Sequence, residues 1–247
     1  MERIINATVK NTENMNIVIT GSSKGFGRVV AEKFSLPSNI IYLCARHEEV
    51  LKTTVMELQQ TFPNTIFKYK CVDLSIAEEA ITFGKWVLSQ SNTIDILINN
   101  AGQFVPGSIY NEPNGALEAM IRTNLYSAYH LSRTILPNMM EKKSGHIFNI
   151  CSIAALQAYP NGGSYSISKY ALLGFSKNLR EELKPYGIKV TTVCPGAAYT
   201  DSWAASGVNP ERIMQANDIA AMIYAASTLS PQAVVEDIIM RPQLGDL

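Results

Sequence analysis

The 247-residue sequence holds only three histidines and four cysteines, and neither type is arranged for metal or disulfide chemistry. Cys44, Cys71, Cys151 and Cys194 fall at or near the ends of predicted strands, with no C-x-x-C pair and no histidine beside them. That scatter reads as small buried hydrophobes in a reducing compartment, and it excludes a disulfide framework and a zinc site. An excess of one charge is missing too. Lys plus Arg number 21 and Asp plus Glu number 21, so nothing draws the chain to nucleic acid or to an anionic membrane. No apolar run approaches the roughly 18 residues of a membrane span, and the polar stretch from Met1 to Asn16 lacks the apolar core of a signal peptide. A cytoplasmic location is expected. Linkers, low-complexity runs and fixed-period repeats are also absent. With 47% apolar residues, the chain predicts a polar extension over 1–14 and one domain with one sizeable core over 15–247.

What is present is a regular alternation of strand-like and helical runs. Strands are expected at 15–20, 40–45, 65–72, 94–99, 146–151, 188–194 and 233–240. Helices are expected at 26–35, 48–62, 77–91, 114–141, 163–186 and 217–227. Near-continuous apolar strands separated by helices predict an α/β fold, a Rossmann-type doubly wound parallel sheet of about seven strands covered on both faces. Ligands in such a sheet gather beyond the carboxyl ends of the strands. Thr20, Ala45, Asp73, Asn99, Ser152 and Pro195 all lie at or just past such ends.

The first strand runs into Gly21-Ser22-Ser23-Lys24-Gly25-Phe26-Gly27. Glycines there allow a tight turn and close approach of backbone, and the following helix offers unpaired N–H groups to a pyrophosphate. The spacing, G-x-x-x-G-x-G, differs from both the G-x-G-x-x-G fingerprint and the P-loop. The second strand then discriminates between cofactors. An acid at its end would accept bonds from an adenosine ribose and repel a 2′-phosphate. Here the strand ends Cys44-Ala45-Arg46, and Lys24 supplies a second cation. NADP(H) is the expected cofactor; a merely solvated Arg46 is the alternative.

Tyr165 and Lys169 form the only Tyr-x-x-x-Lys pair among eleven tyrosines, at the start of a predicted helix. Residues i and i+4 share one helix face. An ammonium one turn away is expected to lower the phenol's pKa and to make it an acid or base toward a carbonyl or alcohol. Ser152, at the end of the preceding strand, is placed to reach the same oxygen. A serine hydrolase is set aside on the expectation that the chain has no G-x-S-x-G nucleophile elbow, with His47, His130 and His146 in helix-start, helix and strand-start contexts.

In order and type these motifs resemble the short-chain dehydrogenases/reductases from about Met15 to the end of the chain. The resemblance implies that Gly21, Ser23, Lys24, Gly25, Phe26, Gly27 and Arg46 bind the cofactor. Asp73 and Leu74 would border adenine, and Asn100, Ala101 and Gly102 of the N-N-A-G turn would line its ribose. Pro195, Gly196 and Thr200 match the segment that faces the nicotinamide. Ser152, Tyr165 and Lys169 match the catalytic trio, and Asn124 the asparagine whose local helix distortion holds a proton-relay water. NADPH-dependent reduction of a ketone or aldehyde follows, without any metal.

The closest pattern is that of bacterial sepiapterin-reductase-like carbonyl reductases, with a 3-oxoacyl-carrier-protein reductase or a non-catalytic NADP-binding sensor as alternatives. Gln103, Phe104, Ala154, Tyr159, Tyr199 and Trp203 are candidate pocket residues, with Asp201 and Asp246 as carboxylates to grip a pteridine. A homodimer or homotetramer is expected, with Tyr126, Tyr129, Leu131 and Phe175 at its interface. Arg46→Asp should swing kcat/KM toward NADH by about tenfold or more, since each charge-assisted bond contributes roughly 1.5–3 kcal/mol. Cofactor ratios measured on both forms check this, and an unchanged ratio refutes the role of Arg46.

Overall fold

The computed structural model describes residues 13–200 and 207–247. In chain order they form β1 (Asn16–Thr20), α1 (Gly25–Lys33), β2 (Ile40–Ala45), α2 (Glu48–Thr61), β3 (Ile66–Cys71), α3 (Ala77–Gln90) and β4 (Ile96–Asn99). The second half follows as α4 (Ala116–Ile121), α5 (Ser127–Lys142), β5 (Gly145–Ile150), α6 (Gly163–Leu183), β6 (Ile188–Pro195), β7 (Ala198–Tyr199), β8 (Met214–Gln215), α7 (Ala216–Ser227) and β9 (Asp237–Met240). Seven strands make one sheet in the order β3-β2-β1-β4-β5-β6-β9. Every pairing in it is parallel. The order reverses between β1 and β4, which leaves a crevice at the carboxyl ends there.

The sheet is buried on both faces because its strands are apolar at consecutive positions. In β1, Ile17 and Ile19 join the cluster that holds Phe34, Leu51 and Ile223. Val18, pointing the other way, joins Phe83, Leu97 and Ile135. Period-2 alternation thus feeds two cores at once. Full burial of each such side chain stabilises by roughly 1.5–3 kcal/mol.

Three expectations change. The long helix expected over 114–141 is interrupted by a π-helical turn at Arg122–Tyr126, where Ser127 N–H reaches back to the Arg122 carbonyl. The wide turn carries Asn124, whose side chain is bonded outside its own helix, so tertiary contacts override helical regularity. The last strand is shorter than expected, because only Asp237–Met240 meets a partner, Thr192–Pro195. Leu131 cannot serve an interface between copies: it is fully buried against the sheet, on the apolar face of α5. Phase along the helix separates it from Tyr126 and Tyr129, which stay exposed. Phe175 is partly buried and packs on Tyr129, with ring centroids 5.6 Å apart.

Amide side chains inside the sheet form a hydrogen-bonded chain. Asn99 Nδ2 donates to Asn149 Oδ1 (2.8 Å) and to Ser132 Oγ (3.0 Å), and Asn149 Nδ2 donates to Ser176 Oγ (2.8 Å). This chain ties β4 and β5 to α5 and α6, below the carboxyl-end crevice. Buried amides so arranged hold strand register against slippage.

Where α3 crosses α5, a Cβ on Gly84 would meet Thr134 Cγ2 at 2.7 Å and Thr134 Cβ at 2.9 Å. Gly84→Val should therefore cost about 1–3 kcal/mol through overpacking. At about 2–4 °C per kcal/mol for a chain of this size, thermal unfolding will show a clear fall in Tm. An equal or higher Tm would show that the two helices part freely.

Candidate active site

The glycine turn after β1 is built by the turn after β4. Thr20 Oγ1 accepts from the N–H groups of Asn100 (2.9 Å) and Ala101 (2.8 Å). Asn100 Nδ2 donates to the carbonyls of Thr20 (2.9 Å) and Gly21 (3.0 Å). Such close approach demands glycine. A Cβ on Gly21, itself at φ +62°, would meet Ala101 Cα at 2.9 Å, and one on Gly27 would meet Gly21 O at 2.4 Å. Ser22 fastens the same turn to β2 through Cys44, its Oγ lying 3.1 Å from the Cys44 N–H that donates to it. The turn's carbonyls are thereby occupied by these partners, while the N-terminus of α1 opens toward a cavity of about 630 Å³.

That cavity collects nearly every residue expected of it. Gly21, Ser23, Lys24, Gly25, Phe26, Arg46, Asp73, Leu74, Asn100, Ala101 and Gly102 line one part. Ser152, Tyr165, Lys169, Pro195, Gly196 and Thr200 line the other. Gly27 does not: it is buried beneath the turn and provides room for backbone, not contact with a ligand. Arg46 is exposed at the rim beside His47. Asp73 has a local duty as well, since its Oδ1 accepts from Ser75 N–H at 2.9 Å while its own N–H donates to Glu79. Of the candidate pocket residues, Gln103, Phe104, Ala154, Tyr159 and Asp246 reach the cavity. Tyr199 does not line it, because it lies in β7, paired with Gln215 of β8. Asp201 and Trp203 fall outside the described residues.

At the closed end, β5 and α6 bring three side chains together. Ser152 caps a short 3₁₀ turn, accepting from Ala154 N–H at 3.1 Å. Its hydroxyl lies near enough to the phenol of Tyr165 to favour the phenolate. Lys169 is buried, with Nζ donating to the Ile150 carbonyl at 2.8 Å and lying 5.8 Å from the centroid of the Tyr165 ring. Phe104 packs edge-on against that ring at 4.8 Å.

The electrostatics correct one expectation. Burial pushes the Tyr165 phenol up to about 12, and the nearby Ser152 hydroxyl opposes the rise only in part. Lys169 does not bring the phenol below its ordinary range, because burial of the phenol dominates, and the ammonium is itself held below its usual value by desolvation. Removing both groups from water disfavours both charges. The protein's own residues therefore keep the phenol protonated.

Asn124 is buried behind the cavity wall, not on it. Its Oδ1 accepts from Gln103 N–H at 2.8 Å, and its Nδ2 donates to the Gln103 carbonyl at 3.1 Å and to Ser168 Oγ at 2.9 Å. A Cβ on the neighbouring Gly102 would sit 3.1 Å from Asn124 Oδ1 and 3.5 Å from Lys169 Nζ. Asn124 thus joins the loop after β4 to the helix that bears Tyr165 and Lys169.

Sequence reasoning missed a second clasp on that helix. Glu112 Oε1 accepts from Ser164 N–H at 2.9 Å, and Oε2 accepts from Ser164 Oγ. Gly107 N–H donates to the Asn161 carbonyl at 3.0 Å, and Ser108 Oγ to Asn161 Oδ1 at 2.7 Å. A carboxylate at a helix N-terminus satisfies orphan donors and opposes the dipole favourably. The partners stand 52 residues apart, so no local pattern announced them. The G-x-S-x-G spacing of a nucleophile elbow is also present at Gly21–Gly25, contrary to the reading from sequence. Among the described residues no hydrogen bond joins Ser23 Oγ to His47, which stands at the N-cap of α2. The described residues also hold no cluster of three metal-ligating side chains.

Comparison with known proteins places this geometry. The sequence pattern of the family described as short chain dehydrogenase matches residues 15–210. Dehydrogenase/reductase SDR family member 7B of Xenopus laevis is 34% identical over 189 residues, covering 75% of this chain and 58% of the frog protein. An uncharacterized oxidoreductase of Staphylococcus epidermidis is 28% identical over 225 residues, covering 91% of this chain and 96% of the relative. The crystal structure of a metagenomic short-chain oxidoreductase in complex with NADP superposes with a TM-score of 0.80 at 28% identity, over 94% of this chain and 98% of that one. Fold, motif order and match length agree, and the chain belongs to the short-chain dehydrogenase family of oxidoreductases.

Proposed function

We propose that the protein is an NADPH-dependent carbonyl reductase that converts a ketone or aldehyde to the alcohol. The observation that carries this reading is the meeting of the Ser152 hydroxyl, the Tyr165 phenol and the buried Lys169 ammonium at one end of the cavity. The rest of the cavity suits a dinucleotide phosphate. Gly21 and Gly25 line the turn that leads into α1, and Lys24 and Arg46 bring cations to the part bounded by β2. Lys169 spends one of its three donors on Ile150, which leaves donors for ligand hydroxyls. When bound, NADPH supplies the hydride.

The chain's own residues then supply geometry and a proton. Ser152 orients the substrate oxygen with its hydroxyl, and Tyr165 donates its phenolic proton to that oxygen as the alcohol forms. Lys169 stabilises the resulting phenolate by its charge. Asn124, on the π-helical turn, holds the Gln103 backbone and Ser168 in place for the route by which the proton is replaced. A phenol kept protonated by burial is suited to reduction, where the reactive form is the acid.

This reading disfavours a non-catalytic sensor, which would have no use for the assembled trio. A sepiapterin-type substrate is the narrower form of the proposal, resting on Phe104, Tyr159 and Asp246 at the cavity. Asp246 is there paired with Arg241. Assembly as a homodimer or homotetramer is proposed on the exposed Tyr126 of the π-helical turn and Tyr129 of α5. A cytoplasmic location is likewise a proposal; no described helix is long and apolar enough to cross a membrane.

Two measurements test the assignment. Tyr165→Phe should bind NADPH as the wild type does and lose turnover by at least about 100-fold, the lower range for a removed general acid. Substantial residual turnover would remove Tyr165 from its role. In the cofactor-free protein, ultraviolet difference titration of wild type against Tyr165→Phe should show no phenolate from this residue below the ordinary tyrosine pKa of about 10. The sign follows from a raised pKa: the protonated form persists at neutral pH and is lost only as pH climbs toward about 12. Phenolate near neutrality would show that Lys169 outweighs burial.

A further inference from the structure

The substrate end of the cavity has a wall that no strand provides. Beyond β9 the chain turns at Pro242–Gly245, where Gly245, at φ +86°, donates its N–H to the Pro242 carbonyl at 2.9 Å. Arg212, from the short 3₁₀ turn before β8, holds this segment down. Its guanidinium donates to the carbonyls of Gly245 (3.0 Å), Asp246 (3.2 Å) and Leu244 (3.4 Å). The segment rests on Gly196, where a Cβ would meet Asp246 Oδ1 at 3.1 Å and Pro242 Cδ at 3.2 Å. Arg241 and Asp246 pair within it, and both line the cavity that holds Ser152 and Tyr165.

Stability does not account for that pair. The two side chains are 36% and 38% exposed, and ion pairs so open to solvent contribute little. Their chemistry is more informative. A guanidinium has five N–H donors and a carboxylate about four acceptor sites, and their mutual contact uses only part of each. The pair therefore presents donors and acceptors side by side with no net charge. An anionic substrate reaching for Arg241 meets the Asp246 carboxylate at the same place. An apolar group seated there would strip water from both charges without replacing its hydrogen bonds. A hydroxyl group, donor and acceptor at once, satisfies both partners.

We infer that the Arg241–Asp246 pair determines specificity, selecting neutral carbonyl compounds that carry hydroxyl groups near the reacting carbon. The inference rests on the carbonyl-reductase reading above and adds the class of substrate. Neither residue touches the reacting oxygen, which belongs to Ser152 and Tyr165. Arg212 acts one step further back, as the positioning residue that fixes the segment.

The test compares dihydroxyacetone and longer polyhydroxy ketones with alkanones in which each hydroxyl is replaced by a methyl group, using NADPH oxidation as the readout. Wild type should favour the hydroxylated member of each pair by at least about tenfold in kcat/KM, the effect of one charge-assisted hydrogen bond. In Arg241→Met and Asp246→Asn that preference should fall about tenfold, with the loss in KM and not in kcat. A wild type indifferent to the hydroxyls, or a preference that survives both substitutions, overturns the inference while leaving the reductase reading intact. A wild type that reduces no ketone or aldehyde at all overturns both.

Discussion

A positive charge held inside the fold is the constraint on which the site depends. Lys169 is buried on α6 with its ammonium on the Ile150 carbonyl at the end of β5. Stripping water from an ammonium costs several kcal/mol even after relaxation, so this side chain must be held by what surrounds it. Burial dominates and lowers its pKa. The same burial raises the phenol of Tyr165. The protein thus keeps two reluctant titrating groups side by side, and each becomes useful through what is bound between them. That is the sense in which the cavity is preorganised.

Holding such groups requires the catalytic helix to be pinned at several points. Glu112 caps its first turn, Asn124 bonds Ser168, Ala154 accepts from Ser166 Oγ at 2.7 Å, and Asn149 bonds Ser176. Each partner comes from a different segment: the loop before α4, the π-helical turn, the 3₁₀ turn after β5, and β5 itself. The loop from Gln103 to Glu112 is thereby a wall of the cavity and a brace for α6 together. Substitution in that loop is expected to disturb catalysis through geometry, without loss of any reacting group.

Much of this was legible in the sequence, and for identifiable reasons. Ile17-Val18-Ile19 and Ile96-Leu97-Ile98 are apolar at every position, which only a strand covered on both faces tolerates. Glycines at 21, 25 and 27 directly after such a strand marked a close backbone approach, and the structure supplies Cβ clashes at 21 and 27 and a positive φ of +56° at 25. Tyr165 and Lys169 one turn apart, with Ser152 at a strand end, announced the trio. Asn124 hinted at a helix defect by its poor helical propensity. The Lys169 effect on the phenol was misjudged because spacing reports proximity and says nothing of dehydration. Leu131 was misplaced because a helix has two sides, and the composition of α5 did not say which one met the sheet.

Local order in the chain determined the succession of strands and helices, the glycine turn after β1, and the residue types available for proton transfer. These follow from periodicity and from backbone stereochemistry, both short-range properties. Tertiary structure alone decided the clasp of Glu112 on Ser164, the laying of Arg241 and Asp246 against Gly196, and the protonation of Tyr165. Those depend on segments far apart in sequence meeting across the carboxyl edge of the sheet. They depend also on how much water remains once they have met, and no spacing of residues along a chain encodes that quantity.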